Sequence, residues 1–210
     1  MTGIVAQNVG RTSGLIKSAG GGGGVWTLIK TLTASDSATL SFVDGASDVV
    51  LDATYPIYQF KFISIHGRST EYPGVFLWNG STDTGSNYNV TKTSTAFRAY
   101  HSEGDVETGA DYFGVMDLAQ GTGFQPVIYY TWYAADAADS GSLTLYNLAS
   151  TTFVKHFTSR AMCNYNGGGA MQERVGGYAN TTSAVDAIQF KMADGNFDGK
   201  IKLYGLSDSL

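Results

Sequence analysis

The sequence predicts an all-β protein: an antiparallel β-sandwich, with a jelly roll as the expected topology, preceded by a short extended N-terminal arm. The composition of the chain and the periodicity of its apolar residues favour this fold. Charged residues make up only 15% of the 210 residues, aromatic residues make up 13%, and glycines number 27. Aromatic residues and threonine suit a half-buried pleated surface and glycine suits turns, whereas long surface helices need far more Glu, Lys, Ala and Leu. Short alternating segments recur between turn residues, and no window shows convincing helical periodicity.

The chain divides at a run of five glycines, residues 20–24. Residues 1–19 are too short for a core, and their glycines disfavour a helix. We interpret 1–19 as an arm that docks on a larger partner, 20–24 as a flexible linker and 25–210 as the sandwich domain. The alternative is a frayed terminus without a role. The candidate anchoring residues of the arm are Ile4, Val5, Val9, Arg11, Leu15, Ile16 and Lys17.

About ten short strands are predicted in the domain. In the clearest, residues 57–65, Tyr58, Phe60 and Phe62 alternate with polar residues. Longer irregular stretches are predicted at 79–95 and 102–125, and a shorter one at 164–169; loops as long as the first two usually carry function or contact a neighbour. The other predicted strands lie near 26–32, 37–42, 75–78, 97–101, 127–133, 142–147, 152–158, 185–192 and 200–206.

Charge and cysteine content exclude several classes of protein. The formal net charge is −5, and the lysines and arginines are scattered along the sequence, so we expect no nucleic-acid partner and no anionic membrane surface. No apolar stretch reaches the roughly 18 residues of a membrane helix, and no secretory signal is recognisable, so membrane insertion is not expected. The single Cys163 excludes a disulfide framework within the chain, which indicates folding in a reducing cytoplasm.

One motif resembles the start of a calcium loop. The segment 194–199 supplies Asp194, Asn196 and Asp198 at the spacing of an EF-hand loop, but its twelfth position is Gly205 instead of glutamate. It also lies between two predicted strands instead of two helices. We therefore favour a hairpin turn, with a low-affinity cation site as the alternative, and predict no resident metal or cofactor.

Catalytic constellations are not recognisable either. His66, His101 and His156 lack metal-ligand spacing, and no serine occupies a Gly-x-Ser-x-Gly elbow. Glycoside hydrolysis needs two carboxylates held across a cleft, and Glu103 and Glu107 fall in an acidic loop. We interpret this loop as solvated surface, with a cation site or an acid/base pair as the alternative. We expect no catalytic residues and no enzymatic activity.

Aromatic residues are the remaining candidates for a binding site. Exposed aromatic rings stack on sugars or fill protein interfaces because they contribute a large area at low entropic cost. The alternative is the sandwich core, since alternate residues of 127–133 must face inward. The candidate glycan-binding residues are Trp78, Tyr88, Tyr100, Tyr130 and Trp132.

Several segments of the chain together carry a resemblance to known proteins: the start with its glycine run, central segments and the ending, of which the ending is the most characteristic. These segments are 3–5, 10–17, 20–24, 26, 37–42, 54–60, 117–124, 145–157, 184–190 and 200–205. Through them, nearly the whole chain resembles a family of small virion structural proteins of marine tailed bacteriophages.

This resemblance implies a structural or tail-fibre component of the virion and transfers no catalytic residue. We therefore expect a decoration or appendage protein, synthesised in the host cytoplasm, whose partners are other capsid or tail proteins. Self-association into a homo-oligomer, for example a trimer, is expected as well. The alternative function is a receptor-binding adhesin, a tail fibre or tip, that recognises a glycan on the host cell surface.

Overall fold

The computed structural model describes residues 24–164 and 168–207, in which twelve strands form two antiparallel sheets. A single 3-10 turn, Gly114–Met116, is the only helical element in these ranges, and none of their helical structure has the length and apolar character needed to cross a membrane. The strands are β1 (Trp26–Ser37), β2 (Thr39–Val43), β3 (Ile57–Gly67), β4 (Gly74–Ser81), β5 (Lys92–Ser102), β6 (Thr108–Tyr112), β7 (Gln125–Thr131), β8 (Asp139–Tyr146), β9 (Lys155–Asn164), β10 (Gly169–Ala179), β11 (Ala187–Met192) and β12 (Phe197–Leu206).

The strand order is that of a jelly roll with two inserted hairpins. The large sheet runs β1-β12-β3-β8-β9-β10-β5-β6 and the small sheet runs β2-β11-β4-β7. The first four strands of the large sheet follow the B-I-D-G order of jelly rolls, and the small sheet follows the C-H-E-F order. The β5–β6 hairpin is inserted between strands E and F and the β9–β10 hairpin between G and H, and both extend the large sheet. The predicted antiparallel sandwich with jelly-roll topology is confirmed.

Phenylalanine rings hold the two sheets together. Phe190 of β11 is fully buried and lies 5.2 Å from the ring of Phe60 and 5.4 Å from that of Phe62, both on β3 of the large sheet. It also contacts Phe42 and Phe76 within the small sheet, at 6.3 and 5.8 Å. The alternation along residues 57–62 of β3 places Phe60 and Phe62 inward, because successive side chains of a strand point to opposite faces.

Two buried lysines hold loops against this core through hydrogen bonds from their ammonium groups. The ammonium of Lys155, which is 0% exposed, donates to the carbonyl oxygens of Ser150, Phe153 and Thr181 at 2.6, 3.2 and 3.0 Å. All three of its protons therefore have acceptors. Lys92 donates to Asn79 Oδ1 at 2.5 Å, and burial lowers the pKa of its ammonium to about 7. Both side chains tie loops to the sandwich, and neither forms an ion pair with a carboxylate in the part of the chain that the structure describes.

The structure contains two strands, β6 and β10, that the sequence patterns do not predict. Three of the eleven residues of β10 are glycines, and its inward-facing row includes Glu173, which interrupts the apolar alternation that marks a strand. The short β6 has few apolar residues and pairs only with β5. The irregular stretch predicted at 102–125 therefore contains β6, and the one predicted at 164–169 starts at the last residue of β9 and ends at the first residue of β10.

Candidate functional site

The sandwich distributes the five predicted ligand-binding aromatics between core and surface. Trp78 of β4 is only 2% exposed, with Phe157 edge-on at 5.1 Å. Inward-facing side chains of β4 pack against the large sheet, so the prediction that Trp78 contacts a ligand is wrong. Tyr88 is half-buried in the 82–91 loop, where its carbonyl oxygen accepts a hydrogen bond from Asn79 Nδ2 at 2.7 Å.

Tyr130 and Trp132 belong to a continuous group of rings at the end of the edge strand β7. Trp132 meets Tyr72 edge-on at 4.8 Å and stacks on Tyr133 at 4.7 Å, while Tyr130 lies 5.8 Å from Tyr72 and stacks on Phe113 at 5.7 Å. Tyr72 and Tyr133 are 36% and 41% exposed. These five residues, Tyr72, Phe113, Tyr130, Trp132 and Tyr133, are called the aromatic surface below.

Arg98 of β5 fixes the inner border of the aromatic surface. Its guanidinium carbon lies 4.1 Å from the ring centroid of Phe113, 5.2 Å from that of Tyr100 and 5.7 Å from that of Tyr130. The same guanidinium makes a two-pronged ion pair with Asp111, at 2.8 Å from Nε and 3.2 Å from Nη2. Hydrogen bonding from Arg98 lowers the pKa of Asp111 and keeps the pair charged. Arg98 thus links Tyr100 to the group of rings, and the charge of Arg98 is paired with that of Asp111.

The chemistry available at the aromatic surface is stacking. Half-exposed ring faces, held in place by other rings and by a fixed cation, suit the apolar face of a sugar or the side chains of another protein. Across residues 24–164 and 168–207, no group of three His, Cys, Asp or Glu side chains is arranged to hold a metal ion.

The segment 194–199 links the two sheets. It joins β11 of the small sheet to β12 of the large one, so it is not the hairpin that the sequence indicates. Asp198 accepts from Arg68 Nε at 2.8 Å and from the backbone N–H of Asp36 at 2.8 Å, and the N–H contributes most to lowering the pKa of Asp198. Asp194 accepts from Ser69 at 2.6 Å. Both carboxylates therefore have donors from the chain itself, and a cation would have to displace Arg68.

Two buried carboxyl groups lie behind the aromatic surface, between the sheets. Glu173 of β10 and Asp139 of β8 are each 1% exposed, and Glu173 Oε2 accepts the backbone N–H of Tyr129 at 2.8 Å. Burial raises the pKa of Asp139 to about 7 and that of Glu173 to about 8. Sequence patterns do not reveal these groups, because a polar residue in a strand is ordinarily taken to face solvent.

The predicted anchoring residues of the arm lie outside the described residues. They are Ile4, Val5, Val9, Arg11, Leu15, Ile16 and Lys17. The domain begins, however, with three large apolar residues in the open: Val25, Trp26 and Leu28 are 60%, 43% and 49% exposed. Trp26 and Leu28 lie at the start of β1, directly after Val25, and among the described strands this edge strand pairs with β12 alone. These three residues are called the junction strip.

No protein-family model matches the chain, and neither does a curated protein or a solved structure. The functional argument therefore rests on fold, surfaces and charge.

Proposed function

We propose that this chain is a non-enzymatic structural protein of a tailed-bacteriophage particle. Residues 1–19 dock on the capsid or tail, and the jelly roll is displayed outward as a decoration or appendage. The observation that carries the proposal is the junction strip, an exposed apolar surface at the point where the arm joins the domain.

The junction strip has the properties of a contact surface. Edge strands with exposed apolar side chains and unpaired backbone groups invite association, and proteins normally cover or charge them. Along the sequence, the first charged residue that follows Val25, Trp26 and Leu28 is Lys30. Burial of this strip against a neighbour would remove apolar area from water next to the docked arm. Jelly rolls are used by viral capsid and lectin domains, an analogy at the level of the fold that supports the same assignment.

The arm is tested by a full-length variant in which Ile4, Val5, Val9, Leu15 and Ile16 are replaced by serine. We expect incorporation into particles to fall at least about tenfold, because the apolar contacts of the arm are lost. Avidity from many copies depends on these individual contacts, so it is lost with them. The melting temperature should not change, since the proposal places the contacts of the arm on the particle and not on the domain. Incorporation is measured by quantitative blotting of purified particles.

Phe153→Ser provides a matched control, because Phe153 is 68% exposed in the loop between β8 and β9. It removes one exposed apolar side chain away from the arm and should leave incorporation unchanged. Incorporation of the arm variant at the wild-type level would overturn anchoring through the arm.

An antibody against residues 25–210, located on particles by electron microscopy, distinguishes a position on the head from a position on the tail. Absence of the antibody signal from particles would overturn the virion role.

The aromatic surface favours a second candidate function, a receptor-binding adhesin for a cell-surface glycan. Stacked Trp132 and Tyr133, with Tyr72 edge-on to Trp132, present a ring platform at the end of the sandwich. Aromatic platforms of this kind bind the apolar faces of sugars.

Tyr133→Ala is expected to weaken binding to host cells about threefold to tenfold, because one exposed stacking ring contributes about 0.5–1.5 kcal/mol. Binding of fluorescently labelled protein to cells measures the effect. Phe153→Ala, which removes another exposed ring, should bind as the wild type does. Equal binding by both variants would remove the aromatic surface from receptor recognition, and a lowered melting temperature of Tyr133→Ala would assign the ring to stability.

A further inference from the structure

The register of the large sheet aligns four cations that are far apart in the sequence. Lys202 of β12 is opposite Lys61 of β3, which is opposite Ser142 of β8. Ser142 is opposite Arg160 of β9, which is opposite Arg174 of β10. Directly opposed residues of neighbouring strands share one face of the sheet. The residues Lys61, Lys202, Arg160 and Arg174 are called the cationic row.

The cationic row lies on the outer face of the sheet. Lys61, Arg160 and Arg174 are exposed and Lys202 is half-buried, whereas the residues that flank them along their strands, such as Phe60 and Phe62 on β3, are buried. With strands roughly 4.8 Å apart, the four intervals from β12 to β10 cover about 19 Å. Residues scattered along the sequence thus form one band of positive charge in the folded domain.

No carboxylate neutralises this band. Within the described ranges, the ion pairs involve other residues, and none includes a member of the cationic row. The two flanking rows on the same face contain no acidic side chain, although the chain has 18 acidic and 13 basic residues overall. The flanking rows consist of Tyr204, Gln59, Thr144, Thr158, Gly176 and Thr95 on one side and Lys200, Ile63, Ser140, Met162, Gln172 and Ala99 on the other.

A groove of about 380 Å³ lies at the β10 end of the cationic row. Its floor includes Gly176, where a Cβ would meet no atom within 4 Å. Arg174 is held beside the groove, since its guanidinium lies 6.0 Å from the ring centroid of Phe97 and its Nε donates to Gln172 Oε1 at 3.0 Å. Phe97 is 54% exposed. The other polar side chains on the outer face that line the groove are Ser142, Thr144, Thr158 and Arg160.

We propose that the groove and the cationic row bind an acidic polysaccharide that lies across the strands, its carboxylate or sulfate groups on the cations. The groove combines what such a chain needs: guanidinium groups for the acids, hydroxyls for the sugar hydroxyls and the exposed ring of Phe97 for a sugar face. Nucleic acid fits less well, because duplex DNA carries a charge every 1.7 Å or so, a far denser spacing than that of four cations spread over about 19 Å. The site lies on the opposite face of β5 from Arg98 and does not depend on the proposed virion role.

Binding is measured with the purified full-length chain and three probes that share one backbone: dextran, carboxymethyl-dextran and dextran sulfate. We expect both acidic polymers to bind, neutral dextran to bind much more weakly, and affinity to fall as salt rises from 50 to 300 mM, because exposed charges are screened within about 10 Å at 0.1 M salt. Binding to only one acidic polymer would identify its group, carboxylate or sulfate, as the one recognised.

Arg160→Gln should weaken binding of the acidic polymers severalfold, and Arg160→Gln combined with Arg174→Gln about tenfold or more. Lys191→Gln removes the same charge from β11 of the small sheet, where Lys191 Nζ lies 4.6 Å from the ring centroid of Phe124, and should stay within about twofold of wild type. Melting temperatures verify folding. Equal losses in Arg160→Gln and Lys191→Gln, equal binding of neutral dextran, or failure of both acidic polymers to bind would overturn the proposal.

Polyglutamate and duplex DNA, assayed under the same conditions, test the other classes of anion. Binding of either one more tightly than both acidic dextrans, with the loss in Arg160→Gln, would assign the row to an acidic protein segment or to nucleic acid and overturn the polysaccharide.

Discussion

Replacement of Phe190 by alanine is expected to lower the free energy of unfolding by about 3–5 kcal/mol. The ring is 0% exposed and contacts Phe60 and Phe62 of the large sheet as well as Phe42 and Phe76 of its own sheet. Truncation therefore removes contacts on both sides of the sandwich and leaves a cavity that surrounding rings fill only partly. Two of its four ring contacts, those to Phe60 and Phe62, cross between the sheets, so the ring joins the sheets directly.

Urea unfolding at fixed pH measures this loss, and thermal unfolding provides a second probe. For a chain of this size, each kcal/mol corresponds to roughly 2–4 °C in melting temperature. Phe153→Ala, at a 68% exposed position, should remain within about 0.5 kcal/mol of wild type. A loss below about 1 kcal/mol for Phe190→Ala would show that the two sheets do not depend on this ring.

The periodicity of the sequence predicts most of the strands of this fold. The alternation in residues 57–65 identifies β3 and its buried face, and the turn residues between strands separate most of the others. The order B-I-D-G and C-H-E-F cannot be derived in this manner, because it depends on which strands pair at long range. The sequence pattern does not predict β10, because Glu173 occupies an inward position that is normally apolar. There its carboxyl group accepts the backbone N–H of Tyr129 on the edge strand β7.

The binding surfaces show the same division between local and long-range information. Alternation in 127–133 indicates that alternate residues must face inward, yet it does not say whether Trp132 is one of them, and it gives no information about Trp78. The cationic row is harder still, since Lys61 and Lys202 become neighbours only through the pairing of β3 with β12. Scattered cations in a sequence therefore do not imply scattered cations on a sheet.

The buried carboxyl groups of Asp139 and Glu173 should make the protein less stable as pH rises from about 4 to about 8. In the unfolded chain these groups ionise near their ordinary pKa values, about 3.9 and 4.3. In the folded protein burial raises the pKa to about 7 for Asp139 and about 8 for Glu173. Between these limits the folded state binds more protons than the unfolded state, so their contribution to stability is complete below pH 4 and is lost through pH 7–8.

Urea unfolding between pH 5 and 7 isolates this effect. Three paired carboxylates with lowered pKa values change the free energy of unfolding at lower pH: Asp83, Asp111 and Asp198. Lys92, whose pKa is lowered to about 7, changes it at higher pH. Each buried acid can contribute a slope of at most about 1.4 kcal/mol per pH unit, so the free energy of unfolding should fall by roughly 1–3 kcal/mol per unit.

The variant that carries Asp139→Asn and Glu173→Gln should abolish most of this slope, because neither replacement can ionise. The glutamine carbonyl can still accept the N–H of Tyr129, so the edge strand β7 keeps its partner and the variant is expected to fold. Asp136→Asn, which removes an exposed carboxylate nearby in the sequence, should leave the slope parallel to that of wild type. If the double variant retained the wild-type slope, the pH dependence would have to come from other groups. A flattened slope would show that this jelly roll contains two acids that stay protonated at pH values where surface carboxylates are ionised, and that its sandwich is held most firmly on the acid side of neutrality.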